Sequence, residues 1–310
     1  MKEQMKISTI VVTFNRKNDL LRNLRKQLEQ DMEIYKIIVI DNASTDGTYE
    51  FLKENGVLDV PNVEYVKLED NMGGAGGFEA GLRRAYASEA DAFVMMDDDG
   101  YMVNKDTLRS LVNKIPDNDL FFLCPMVMCN ETQMTFPGIG LSTKEECLSA
   151  SENGYIMGYV CPFNGTFVSR KLVEKIGFVK GEFFIKGDEI NYTQRAKAAG
   201  AFMATVTSSI YYHPNSGTNE EKKFFFETLV NNYDPFWKEY YMMRNGVYNR
   251  KGKSFFLLRA YRLFFRRVAG LYVFHIKDKK MYLKFLKKGF DDGVKGRLGK
   301  TVMPGQKTIE

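Results

Sequence analysis

Asp97, Asp98 and Asp99 follow directly on the apolar run Ala92–Met96 and are followed by Gly100. Adjacent carboxylates repel: at a near-surface effective dielectric each close pair costs on the order of 4 kcal/mol. Protonation, neighbouring cations or a bound divalent ion can offset that cost. The plainer alternative is a solvated turn, since Asp and Gly are good turn formers. Placement at the end of a buried run weighs against it. Side chains alternate along extended backbone, so Asp97 and Asp99 are expected to face one way and Asp98 the other. A pair so spaced can hold Mn²⁺ or Mg²⁺, which take hard oxygen ligands and combine one or two carboxylates with substrate phosphates. Asp98 is left for a ribose or a backbone group.

Three other groups could share that chemistry. Gly73, Gly74, Gly76 and Gly77, with Ala75 between them, do not spell G-x-G-x-x-G and stand after the third strand-like run rather than the first. A hydride-transferring dinucleotide enzyme is therefore disfavoured. The glycines still let backbone approach a ligand closely, and a helix starting near Gly77 can aim N–H groups at an anion; a plain flexible loop is the alternative. His213 ends a strand-like run before Pro214, which favours extended backbone. A lone histidine is commonly structural, but this one can reach the same rim as a third metal ligand. Asp188 opens a helical segment. It is either a charge favoured by the helix dipole or a general base that takes a proton from a sugar hydroxyl.

The elements that must position these residues follow a simple pattern. Ile7–Phe14, Tyr35–Asn42, Asn62–Asp70 and Asp91–Met96 read as strands, the first two nearly continuous in apolar residues, as in a sheet buried on both faces. Between them lie helical stretches, with Leu20, Leu21, Leu24 and Leu28 on one face of the first and Ser/Thr/Asp capping chemistry before the second. This alternation predicts an α/β fold with a doubly wound parallel sheet, whose ligands bind at the carboxyl ends of the strands. The polar endings Thr13–Arg16, Asp41–Gly47, Asp70–Gly77 and Asp97–Gly100 should converge there. Later segments read as strands at Leu120–Met128 and Ala201–Tyr212, and as a strand running into a helix begun near Ser169. Residues 1–222 are expected to form the main domain, in two halves that meet at about residue 100. Residues 223–310 should be a helical, aromatic and basic C-terminal region.

The chain has 310 residues, 44% hydrophobic and 27% charged, ordinary for a globular protein. Its start is too polar and its apolar part too short for a signal peptide, and no apolar run approaches the roughly 20 residues needed to span a bilayer. The four cysteines have no regular framework, and Cys124 and Cys129 read as reduced core residues. A cytoplasmic protein is expected. From Arg250 onward, 17 Lys/Arg stand against four Asp/Glu, a balance of +13 that leaves −8 for the first 249 residues. A basic tail on an acidic body points to an anionic partner. Lys and Arg interleaved with Phe, Tyr and Leu could lie on an anionic membrane at its inner face, or simply cap the main domain. No nucleic-acid recognition module is evident.

The segments "IVVTFNR", "VIDNASTDGT", "NMGGAGGFEAG", "MMDDDG", "FFIKGDEINYTQRAKAAG", "YYHP" and "YYMMRN" stand in the order found in inverting family 2 glycosyltransferases of the GT-A fold. The set resembles most closely the bacterial galactofuranosyltransferases and their rhamnosyltransferase cousins, from about Ile7 to Asn245. The resemblance implies that Thr13, Phe14 and Arg16 line a nucleotide pocket, with Arg16 near phosphate, and that Asp41 bonds uracil or ribose. It implies that Asn71, Gly73 and Gly74 lie against donor sugar and diphosphate, as does Asp98. Asp97, Asp99 and His213 would hold Mn²⁺ or Mg²⁺, and Asp188 would be the catalytic base. It also implies that the first half of the main domain, to about residue 100, takes a nucleotide-sugar and the second, from 101, the acceptor. The implied donor is UDP-galactofuranose, with dTDP-rhamnose as the alternative, and the implied acceptor is a surface polysaccharide or a polyprenyl-diphosphate-linked glycan. Gly187 stands where galactofuranosyltransferases usually carry Trp, and Phe163–Phe167 lacks the tryptophans often found there. Two readings of other classes are a non-catalytic nucleotide- or membrane-binding scaffold and a phosphatase. The second is disfavoured because "TFNR" follows the first strand, where the phosphatases of this kind carry a nucleophilic Asp.

Overall fold

The computed structural model describes residues 5–215 and 220–309. The chain divides into two compact units: residues 1–179 with 192–215, and residues 180–191 with 216–310.

The first unit opens with β1 (Ile7–Thr13), α1 (Lys17–Leu28), β2 (Lys36–Asp41), α2 (Thr48–Glu54), β3 (Val63–Lys67), α3 (Gly73–Ala87) and β4 (Ala92–Asp97). β1 pairs in parallel with both β2 and β4, and β2 with β3. All seven residues of β1 are buried, because helices must cover both faces of a parallel sheet. Two apolar clusters fill those faces, one holding Val11, Leu20, Leu24 and Val94, the other Ile10, Ile38, Phe78 and Leu82.

Beyond β4 the elements are β5 (Tyr101–Met102), α4 (Thr107–Val112), β6 (Phe121–Met128), β7 (Gln133–Gly138), β8 (Leu141–Thr143), α5 (Lys144–Ser149), β9 (Tyr155–Met157), β10 (Asn164–Ser169), α6 (Arg170–Ile176), α7 (Asp188–Ala198) and β11 (Phe202–Tyr212). The sheet runs β3-β2-β1-β4-β10-β6-β11-β5. It is only mostly parallel: β10 is antiparallel to both β4 and β6. The four strands of the alternating pattern, β1 to β4, are parallel as that pattern predicts, and the antiparallel strand lies beyond it. A buried apolar strand has the same composition whichever way it runs, so its direction is set by the connection and not by the residues. Ser169 caps α6 as expected, its side chain accepting from Leu172 N.

Two boundaries also differ. α3 begins at Gly73, not near Gly77, so the glycines form its first turns instead of a loop. Two glycines of this helix serve packing: a Cβ on Gly77 would sit 2.4 Å from Val12 Cγ1, and one on Gly81 would sit 2.3 Å from Ile10 Cγ2. α2 starts from a left-handed Gly47 with no side-chain cap bond, rather than from Ser, Thr or Asp.

The second unit contains the hairpin β12 (Glu220–Phe224) and β13 (Glu227–Asn231), followed by α8 (Phe236–Tyr248), α9 (Phe256–Val273) and α10 (Lys279–Lys295). The hairpin was not foreseen where aromatic and basic helical runs were expected. Its cores are separate, one around Met243, Val247, Leu271 and Leu286, the other around Phe184, Tyr240, Tyr241 and Phe285. Among the described residues no helix is long and apolar enough to cross a membrane. Cys124, Cys147 and Cys161 are buried and free, whereas Cys129 is only partly buried, one residue past the end of β6.

Candidate active site

In the first unit the carboxyl ends of β1, β2 and β4 and the start of α3 carry the residues singled out above. Asp97 closes β4, and Asp98 and Asp99 turn away from the strand direction toward Gly100. The alternation expected of extended backbone therefore stops at Asp97. Asp98 is buried, its Oδ2 accepting from Thr13 Oγ1 at 2.7 Å and its Oδ1 from Arg16 at 3.3 Å. The same guanidinium donates to Asp99 Oδ2. One arginine thus supplies the cation that two of the three acids need. Burial pushes the Asp98 carboxyl up to about 6, against the opposing pull of Thr13 and Arg16. Burial also holds the Tyr211 hydroxyl well above the usual phenol range, with the aspartates adding to the effect; it stays protonated and donates to Asp97 O at 3.4 Å.

Asp99 Oδ1 is buried and, among the described residues, has no hydrogen-bond partner. It faces His213 Nε2 at 3.4 Å. His213 Nδ1 lies 2.8 Å from Pro214 O, and a carbonyl can only accept, so Nδ1 carries the proton. In the neutral ring Nε2 is then a lone pair aimed at another lone pair. Such a pair of acceptors fits a cation between them, and a carboxylate oxygen with an imidazole nitrogen suits Mn²⁺. Asp97 is not gathered with them: among the described residues no three His, Cys, Asp or Glu side chains form a metal-holding group. Two protein ligands are enough where substrate phosphates supply the rest.

The remaining predicted contacts sit around this point. Phe14 is exposed at the end of β1. Asp41 is buried, its Oδ1 accepting from Ser44 N at 2.8 Å and its Oδ2 from the Tyr65 hydroxyl. Asn71 Oδ1 accepts from Gly73 N at 2.8 Å and from Asn42 Nδ2 at 3.2 Å, which ties the entry of α3 to the end of β2. Gly73 has a left-handed φ of +71°, and Gly74 has open space around its Cβ position. No motif points to Asn23, whose Nδ2 bonds Gly100 O at 2.7 Å and Asp97 O at 3.3 Å. Such a residue, an Asn buried beside Gln27 among the leucines of α1, is a legible signal only once its partner is known.

Asp188 belongs to the second unit and is buried. It starts α7, directly after a loop in which Phe184, Lys186 and Gly187 all have left-handed φ. Backbone of that kind costs about 1–3 kcal/mol at each non-glycine residue and persists only where neighbours enforce it. α8 enforces it. Asn245 Nδ2 lies 3.0, 3.0 and 2.6 Å from the carbonyls of Phe183, Ile185 and Lys186; Arg244 donates to Phe183 O at 2.9 Å, and Asn249 to Gly187 O at 2.7 Å. The "RN" of Tyr240–Asn245 therefore holds the loop that presents Asp188.

The family model for glycosyl transferase family 2 matches residues 8–168. The chain belongs to glycosyltransferase family 2. It is a glycosyltransferase, and its fold is GT-A. Similar proteins include the galactofuranosyltransferase GlfT1 of Mycolicibacterium smegmatis, 29% identical over 253 residues covering 78% of this chain and 82% of that one. GlfT1 of Mycobacterium tuberculosis is also 29% identical, over 78% of this chain and 81% of its own. Among solved structures, S. aureus TarS in complex with UDP-GlcNAc superposes with a TM-score of 0.60 at 17% identity, over 94% of this chain and 82% of that chain. The mannosyltransferase PcManGT of Pyrobaculum calidifontis, in complex with GDP-Man and Mn²⁺, gives 0.56 at 14% identity, over 96% and 89%. Asp188 and His213 lie outside the span that the family model matches.

Proposed function

We propose that this family 2 glycosyltransferase is metal-dependent and inverting, and that it moves galactofuranose from UDP-galactofuranose onto a bacterial surface polysaccharide or lipid-linked glycan precursor. The donor rests on the galactofuranosyltransferases that resemble the chain over four-fifths of their length. Metal dependence rests on a single observation, the buried Asp99 Oδ1 facing His213 Nε2 at 3.4 Å. Mn²⁺ or Mg²⁺ held there would stabilise charge developing on the departing diphosphate. Asp97, the last residue of β4, is two residues before Asp99 in the chain.

The chain's own residues carry the other roles. Arg16 draws the diphosphate toward Asp98 and Asp99, and Thr13, Phe14, Asp41, Asn71, Gly73 and Gly74 frame the nucleotide and sugar. Asp188 accepts the proton of an acceptor hydroxyl as that oxygen bonds to the anomeric carbon. The carbon–phosphate-oxygen bond breaks on the opposite face, and UDP leaves with its electron pair. One base and no covalent nucleophile give inversion. The basic second unit holds the enzyme at an anionic membrane surface where a polyprenyl-linked acceptor would lie.

A panel of nucleotide sugars with Mn²⁺, scored by thermal shift, tests the donor. A hundredfold excess over Kd should stabilise by about 2.7 kcal/mol, and UDP-galactofuranose should lead. Transfer that survives EDTA would remove the metal from the mechanism. Equal stabilisation by every donor would leave the galactofuranose assignment without support.

A further inference from the structure

β10 pairs with β4 through a register shift between Asn164 and Thr166, and the residue between them, Gly165, has a φ of +76°. A bulge of this kind re-aims the side chain beside it, and bulges concentrate next to active sites. The position cannot be relaxed by substitution: a Cβ on Gly165 would meet Pro125 at 2.9 Å and Tyr211 at 3.1 Å. Asn164 pairs in register with Met96, one residue before the aspartate triplet. The adjoining Phe163 accepts from Asp97 N at 3.1 Å, and its ring stacks on Phe78 of α3 at 4.3 Å. Asn164 therefore sits beside the carboxyl end of β4, next to the Phe163 that touches both Asp97 and α3.

The Asn164 side chain is 6% exposed. Its Nδ2 lies 3.1 Å from Pro162 O, which fixes the amide, because a carbonyl can face only the nitrogen end. The other end, Oδ1, is buried and has no partner among the described residues. An unmatched buried acceptor is costly and is retained where a donor arrives from elsewhere. The neighbouring groups on the triplet are acceptors themselves and cannot supply one. A sugar presents a ring of hydroxyl donors.

We propose that Asn164 is a specificity-determining residue for the donor, its Oδ1 accepting a hydrogen bond from a hydroxyl of the sugar that the nucleotide carries. The inference rests on the reading of this rim as the nucleotide-sugar site and adds to it a residue of the Phe163–Phe167 segment that had been given no role. A site built to bond a hydroxyl rejects the analogue that lacks it far more strongly than an apolar pocket rejects a size change.

The test compares UDP with UDP-galactofuranose, and with its single-deoxy analogues, by calorimetry in Mn²⁺ on wild type and on Asn164→Leu. UDP has no sugar hydroxyl at this position, so its affinity should change less than about twofold in the variant, while the intact donor weakens by roughly 10–100-fold. One deoxy analogue should bind wild type as weakly as the variant binds the intact donor, and the variant should be blind to that deoxygenation. Equal weakening of UDP and donor by the substitution would overturn the proposal, as would a variant that still distinguishes every deoxy donor as wild type does. The deoxy series on wild type decides the matter even if the variant misfolds: binding undiminished by each deoxygenation overturns it. If wild type binds neither UDP nor any UDP-sugar, the underlying reading of the rim falls and takes this inference with it.

Discussion

Arg16 answers the repulsion between Asp98 and Asp99, and the proposed metal would sit where Asp99 Oδ1 faces His213 Nε2. The sequence alone gave the triplet and its chemistry but not this division, because it depends on Asp98 and Asp99 leaving the strand direction at a turn. Asp188 was legible as an acid at a helix start; what holds it was not, since Arg244 and Asn245 lie more than fifty residues further along the chain. Two predictions belong to this scale. Asp188→Asn keeps the side chain's size and shape but removes the basic carboxylate, so UDP affinity should hold while turnover falls by about 10²–10⁴-fold; near-normal turnover removes Asp188 as the base. Asn245→Ala strips bonds from three carbonyls of the preceding loop. Turnover should fall by roughly 10–100-fold with UDP affinity unchanged within about twofold, because a shift of about an ångström in a base costs rate rather than nucleotide binding. A proportional loss in both would mean the substitution unfolds more than the loop.

Among the elements, α3 shows how one glycine motif can serve two uses. Its glycines suggest backbone open to a ligand, yet Gly77 and Gly81 face Val12 and Ile10 and set how closely the helix lies on β1. Composition does not separate these uses; only the register of helix on strand does. Gly77→Ala and Gly81→Ala should each destabilise by about 1–3 kcal/mol in urea unfolding through overpacking. Gly74→Ala, in open space inside the same helix, should fold as well or better, and any harm it does should appear in donor binding instead. Stability unchanged by Gly77→Ala and Gly81→Ala would contradict the packing argument. A second prediction concerns α9 and α8, where Arg267 donates to both oxygens of the buried Glu239 at 2.7 Å. Burial already holds the Glu239 carboxyl above its ordinary value of 4.5, with Arg267 the main opposing influence. Arg267→Met leaves that charge alone, and the variant should lose about 3–5 kcal/mol at pH 7.5. The folded-state value then rises further, so the native state gains a proton as pH falls, and the deficit against wild type should shrink toward pH 4.5. A deficit independent of pH would place the loss in packing and not in the carboxylate.

For the whole molecule, charge was the most legible property and its consequence the least. The count from Arg250 onward locates the basic excess but cannot say whether aromatics there point inward or out. In the second unit they do both. Ala260, Gly270 and Leu271 are buried in α9, while Leu258, Tyr261, Phe265 and Tyr272 are exposed. Those four recur at intervals of three, four and seven and so share one face, with Arg262 and Arg266 beside it. Arg262 bonds Glu227 and Arg266 bonds Thr228 O at 2.8 Å, which ties this helix to the hairpin whose turn carries Phe225 and Phe226, 86% and 102% exposed. An outward apolar stripe rimmed by arginines, next to a turn of bare phenylalanines, matches what an interfacial element needs: rings for the acyl boundary and cations for acidic headgroups. Flotation with phosphatidylcholine vesicles, with and without phosphatidylserine, should recover the protein only with the anionic ones and less of it as salt rises. Replacing Phe225 and Phe226 together by serine removes apolar insertion without touching charge, and should weaken binding about tenfold or more. Arg259→Glu, on the same helix and in no ion pair among the described residues, should weaken it by an amount that salt erases. If the double serine variant floats like wild type, the hairpin turn plays no part in holding the enzyme at a membrane. If neutral vesicles capture the protein equally well, its basic excess has some other partner.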